Sequence, residues 1–328
     1  MIETEPSART LVERYWEGLL QLEPLLATMV GDERFDDRLP DLSEAGRSAR
    51  ETFHRGALEE LAFLERDLPD EGLRTTLDVL EAVADRDLVS LEHRLDRLQV
   101  VSHLWGPGGL LGELGSLQRA DTPERLERYL ARLRATPAYY RDAADVAREG
   151  VATGITAPRV VVERTIGQVE RLIATDPAGS PAMQPVPEGD AAGREAVVAA
   201  LRDAVMPALE SFLGTLREYL ARSTETIGLS ALPGGDAMYA AEIVSWTTLD
   251  LPASEIHELG VKDLAKIQDE RREVADRLGY ADPDAAEAEL QRKAPSSKEE
   301  LVALAARQVA KGWDAAPQYF GRLPRENC

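Results

Sequence analysis

The chain has 328 residues, 44% of them hydrophobic and 30% charged, with 59 acids against 38 bases and a formal charge of −21. That length and balance exclude wholesale disorder and suit a fold burying about 75% of its unfolded surface. The acidic surplus excludes a nucleic-acid partner, because displacing counterions from phosphates needs a clustered basic footprint.

Bases are interleaved with acids, as in Glu163-Arg164 and Asp269-Glu270-Arg271-Arg272, and such runs read as solvated helix faces. Aromatics are only 5%, so the core must come from Leu, Val and Ala. The single cysteine, Cys328, allows no intramolecular disulfide. The segment from Met1 to Arg9 carries Glu3 and Glu5 and lacks the apolar run of a signal peptide. No apolar run approaches the ~20 residues of a membrane helix. A cytoplasmic location and no membrane partner are expected.

Apolar residues step by three and four along most of the chain, the period of a one-sided helix. The first such stripe is Leu11, Tyr15, Leu19, Leu22 and Leu26. Ser43 reads as the N-cap of a second helix. A long stripe then runs Leu73, Leu77, Leu80, Ala84, Leu88, Leu91, Leu95 and Leu98, before an irregular Gly106-Pro107-Gly108-Gly109. Thr122-Pro123 and Thr136-Pro137 each read as an N-cap followed by proline at the first helical position, so two helix starts are expected there. Val162, Ile166, Val169 and Ile173 form the next stripe.

Residues 176–190 hold four prolines and read as an exposed, extended connection. Beyond it come Leu201, Val205, Phe212, Leu216 and Tyr219, with Pro207 predicting a kink. A break at Leu232-Pro233-Gly234-Gly235 follows. Asp250-Leu251-Pro252 or Ser254 opens a stripe of Leu264, Ile267, Val274 and Leu278, interrupted by Arg271 and closed by Gly279 as a C-cap. No stretch alternates with period two. The expectation is an all-α, multi-helix array in two lobes, 1–175 and 191–328, joined by a linker at 176–190, with the second lobe truncated at its C-terminal end.

Catalytic motifs are incomplete. His257-Glu258-Leu259-Gly260-Val261 lacks the second imidazole that would hold zinc. Glu51-x-x-His54 is half of a di-iron pair with no counterpart, and reads as chance placement on a surface helix. Gly106 to Gly112 misses the dinucleotide fingerprint, and Ser230 lacks the second glycine of a nucleophile elbow. Four aspartates between Gly31 and Asp41 could attract calcium, but their spacing is not an EF-hand, and Arg34 and Arg38 can neutralise them. No metal ligand is therefore assigned. Gly234 and Gly235 before a helix would let backbone N–H groups approach an anion, with Tyr239 one turn further on; a tight turn with a packed tyrosine explains the same residues.

Three stretches together carry a family resemblance. They are Ile155 to Val169; Leu232-Pro-Gly-Gly-Asp236-Ala-Met-Tyr239 through Trp246-Thr-Thr-Leu-Asp250 to Gly260; and Ala316-Pro-Gln-Tyr-Phe320-Gly-Arg322-Leu-Pro324-Arg325. With the Gly31 to Asp41 loop, these resemble the bacterial family named domain of unknown function 885, a set of helical proteins similar to zinc metallopeptidases. The resemblance implies an all-helical fold with a deep cleft. It also implies a zinc motif, His-Glu-x-x-Pro-Gly-His-His, beyond the Phe-Gly-Arg-Leu-Pro stretch, and this chain has none.

On that resemblance the chain is expected to be the N-terminal, cleft-forming portion of a zinc-dependent hydrolase, inactive alone. Zinc and a peptide-like substrate would enter only with a C-terminal half or a partner subunit, so no catalytic residue or cofactor is assigned to this chain. Gly234, Gly235 and Tyr239 are the candidate substrate-binding residues. The alternative is a complete, non-catalytic helical module that binds a protein or a small ligand.

Overall fold

The computed structural model describes residues 4–104 and 106–323. The period-3.6 runs become helices in chain order: α1 (Thr4–Leu22), α2 (Pro24–Met29), α3 (Glu44–Ala62), α4 (Glu71–Glu92), α5 (Asp96–Gln99), α6 (Leu110–Leu117) and α7 (Pro123–Thr153). They continue with α8 (Arg159–Ala174), α9 (Ala191–Ala200), α10 (Met206–Leu220), α11 (Gly235–Thr247), α12 (Ala253–Arg277), α13 (Pro283–Arg292) and α14 (Lys298–Tyr319). Among the described residues there is no β-ladder, only a lone bridge between Pro158 and Thr224. No helix among them is long and apolar enough to cross a membrane. The fold is all-α, as the periodicity requires.

The chain divides into two compact units, Met1–Leu251 and Pro252–Cys328, and not at the proline-rich stretch. In the first unit α7 is the spine. α10 packs along it, with α8 against α10 and α9 against α7. Tyr129, Leu133, Tyr140, Val162, Leu209 and Phe212 close that core. A second core joins α1, α3 and α4 through Leu11, Tyr15, Leu61, Leu73, Leu77 and Leu80. All of these but Leu61, which comes from α3, stood in the first two stripes.

Residues 176–190 depart from the expected exposed connection. They fold into 3-10 turns at Pro177–Gly179 and Pro181–Met183. Ser180, Ala182, Met183 and Val186 are buried. Prolines have no N–H to satisfy, and the carbonyls find partners: Tyr129 Oη donates to Ala182 O at 2.7 Å, and Ala120 N donates to Pro185 O at 3.1 Å. A proline-rich segment can therefore enter a core once its acceptors are met.

Ser43 and Thr122 cap their helices as expected, accepting from Gly46 N and Arg125 N. Thr136-Pro137 does not start a helix; α7 runs through it. Pro137 lacks the N–H that would donate to Leu133 O, and the Thr136 hydroxyl donates to that carbonyl instead, at 2.7 Å. Pro207 falls just after a π-helical turn, Leu201–Val205, which joins α9 to α10. Such a turn relieves the ladder where proline cannot donate.

In the second unit α12 packs on α13. Arg271, which interrupts the apolar stripe of α12, reaches Glu287 on α13. Gly279, at φ +81°, ends α12 in a Schellman motif: Tyr280 N donates to Ala275 O and Gly279 N to Asp276 O. Ala275 is the only buried residue among those described here, and Leu264, Ile267, Val274 and Leu278 stay exposed.

Candidate functional site

A cleft of about 600 Å³ in the first unit gathers seven charged side chains. Helical spacing builds it. Arg47, Arg50 and His54 recur at i, i+3 and i+7 on α3, and Val83, Arg86, Asp87, Ser90 and Leu91 share one face of α4. α1 adds Trp16 and Leu19, Glu23 stands between α1 and α2, Asp41 and Leu42 precede α3, and Asp96 and Gln99 come from α5. Three arginines and four carboxylates thus line one wall system, with apolar side chains between them.

The arginines differ in how firmly they are held. Arg50 meets Glu23 at 2.9 Å. Arg86 lies 3.6 Å from Asp87. The side chain of Arg47 is only 16% exposed, yet its carboxylate neighbours are distant: Glu149 at 3.5 Å and Asp96 at 3.7 Å. Charge-assisted hydrogen bonds run at about 2.7–2.9 Å. Arg47 thus lines the cleft with no carboxylate at charge-assisted distance among the described residues.

Beneath the floor is a buried polar chain. Tyr15 Oη and His54 Nδ1 are 3.1 Å apart, and His54 Nε2 lies 3.3 Å from Asp87 Oδ2. Phe53 stacks on Tyr15, its ring centroid 5.0 Å away. His54 is 2% exposed, so the expectation of a chance surface histidine is corrected; Glu51 points away and pairs with Arg55. Burial pushes the His54 imidazole below its ordinary value; Asp87 opposes this, and Arg50 and Arg86 add to it. Desolvation by the cleft walls pushes the Glu23 carboxyl up, against the pull of Arg50.

These directions predict a pH effect. The folded imidazole binds its proton more weakly than an unfolded one of pKa about 6.5. Below that value the unfolded chain takes up protons first, so stability falls as pH drops toward the lower folded value. Glu23 acts with the opposite sign, its contribution being lost as pH rises through its raised value. The informative quantity is therefore a difference. His54→Gln should lessen the fall in Tm between pH 7 and pH 5 relative to the native chain, and equal slopes would refute the assignment.

The residues expected to bind substrate lie elsewhere. Gly234, at φ +70°, turns the chain into α11, and Met238 N donates to its carbonyl. Gly235 is packed so closely that a Cβ would collide with the Leu229 carbonyl. Tyr239 is half exposed on α11. None of the three lines the charged cleft. Their loop instead borders an apolar cavity through Leu229 and Leu232. Ser230 is exposed in that loop, and His257 is exposed on α12. In the aspartate loop, Asp32 pairs with Arg34, Asp37 with Arg38, and buried Asp36 accepts from Thr28 at 2.6 Å. Among the described residues no three His, Cys, Asp or Glu are placed to hold a metal. Pro324, Arg325 and Cys328 lie outside the described residues.

The all-helical fold is one also seen in solved structures. The chain belongs to the DUF885 family, bacterial proteins of unknown function, whose family model matches residues 24–328. A crystal structure from Colwellia psychrerythraea, described as that of a candidate lipoprotein, matches with a TM-score of 0.83 at 15% identity, covering 99% of this chain and 62% of that one. A Shewanella oneidensis structure, described as a candidate lipoprotein of unknown function, matches with a TM-score of 0.64 at 14% identity, covering 97% of this chain and 59% of that one. The chain thus spans about six tenths of the length of these two proteins. At such identities the likeness is one of fold. No match is found among curated proteins.

These findings correct the expectation of an N-terminal portion of a zinc-dependent hydrolase. The family model runs to residue 328, so the family's matched region does not stop partway along this chain. Both solved structures take in nearly all of it, and neither description names an activity.

Proposed function

We propose that this chain is a helical binding module whose cleft takes a small ligand bearing both an anionic and a cationic group, as an amino acid or short peptide does. Arg47 carries the reading. A mostly buried guanidinium with its carboxylates at 3.5 and 3.7 Å offers a planar fork suited to a ligand carboxylate. Asp41, Asp87 and Asp96 on the same walls suit an ammonium group, and Trp16, Leu19 and Val83 supply apolar contact. A volume of about 600 Å³ lies within the roughly 300–1,000 Å³ of small-molecule sites.

Titration calorimetry with alanine, acetate and methylamine tests it. The zwitterion should bind more tightly than either half. Equal or absent binding of all three would remove the proposal.

A further inference from the structure

Beside the charged cleft, and also bordered by α5, lies a cavity of about 240 Å³. Its walls come from α5 and the residues after it, from 156–161, and from the 224–232 loop. The loop is held in place: Arg159 N donates to Thr224 O at 2.8 Å, Pro158 bridges Thr224, and Tyr219 Oη accepts from Ala157 N. In a chain that is 30% charged, no charged residue lines this cavity. Leu98, Val101, Val161, Leu229 and Leu232 dominate it, and Ile227, 79% exposed, stands at its rim.

One residue ties the cavity to the cleft. Gln99, exposed at the end of α5, lines both. At about 240 Å³ the cavity is smaller than the roughly 300–1,000 Å³ that accommodates a whole ligand, and suits part of one. α5 thus separates polar from apolar: Asp96 faces the cleft, Leu98 faces the cavity, and Gln99 joins them.

We infer that the cavity is the apolar subsite of the same ligand, so that the chain selects zwitterions carrying a hydrocarbon side chain. This rests on the cleft reading above. The cleft fixes the charged groups, and the side chain passes Gln99 into the cavity.

A homologous series tests it: glycine, alanine, norvaline, norleucine and 2-aminooctanoic acid, titrated calorimetrically into the full chain. Affinity should rise about fourfold per added methylene until the cavity is full. Ala157→Phe fills the cavity and should flatten that rise while leaving the glycine affinity unchanged. If that variant loses cooperative melting, Ile227→Asp keeps the test open, because its exposed site bears little on folding; it should weaken only the longer members. Binding with no dependence on chain length overturns this inference and leaves the cleft reading intact. A rise with chain length that is the same in both variants as in the native chain also overturns it. Failure of every member to bind overturns the cleft reading itself.

Discussion

Replacing Arg132 by methionine should remove about 3–5 kcal/mol of folding stability, the cost of breaking a buried charge pair from one side. Arg132 is fully buried on α7. Its Nη1 donates to Thr28 Oγ1 at 2.9 Å and to Gln118 Oε1 at 2.8 Å, and its Nη2 donates to Phe35 O at 2.7 Å and to Pro24 O at 3.4 Å. Asp36, 3.6 Å away, balances the charge. Burial pushes the guanidinium down to about 10, with Asp36 opposing, so it stays charged at neutral pH. One side chain thus ties α2, the 33–35 turn and residue 118 to the spine.

Methionine would fill the space but strand four acceptors and a carboxylate. Urea unfolding should show the loss as a lower midpoint at unchanged slope. Arg132→Met with Asp36→Asn should recover part of it, because the two changes share one interaction. A loss below about 1 kcal/mol would mean that water reaches the site and that the network is not a structural tie.

Arg47→Gln should act on binding and not on folding. Its carboxylate neighbours, at 3.5 and 3.7 Å, are too far to hold it strongly, so its loss breaks no close charge pair. Tm should therefore stay within a few degrees of native. A ligand carboxylate would lose hydrogen bonds to a charged donor, about 1.5–3 kcal/mol, or roughly 10- to 150-fold in Kd. Arg47→Lys should recover little, because an ammonium group cannot reproduce the fork. Calorimetry with norleucine reads the affinity and differential scanning fluorimetry the stability. A clear fall in Tm at constant affinity would make Arg47 a strut from α3 to Asp96 and Glu149.

Helices were legible because their signal is local. Leu73, Leu77, Leu80 and Ala84 of the long stripe form the buried face of α4, though the helix ends at Glu92, before Leu95 and Leu98. The caps at Ser43 and Thr122 were equally local. Residues 176–190 misled because proline content speaks of missing donors, and nothing nearby says that Tyr129 and Ala120 will serve the acceptors. Arg132 was invisible for the same reason: its partners lie 14 to 108 residues away.

The cleft left a faint trace. Arg47, Arg50 and His54 share a helical face, as do Arg86, Asp87 and Ser90, but a charged face reads as solvated until a second helix is set against it. The glycines at 234 and 235 drew attention because glycine before a helix can serve a ligand or a tight turn. At Gly235 the Leu229 carbonyl occupies the space a side chain would need, so the turn accounts for that residue.

Thr136 and Pro137 also bear on how this sequence can drift. Suppose both become alanine by single steps. If Pro137 changes first, an amide returns to Leu133 O and the threonine hydroxyl becomes dispensable. If Thr136 changes first, that buried carbonyl loses its donor, at a cost of about 1–3 kcal/mol. The two orders pass through intermediates of different fitness, so selection leaves one path open and closes the other. The proline in the middle of α7 is thus free to leave, whereas Thr136 is held in place for as long as the proline stays.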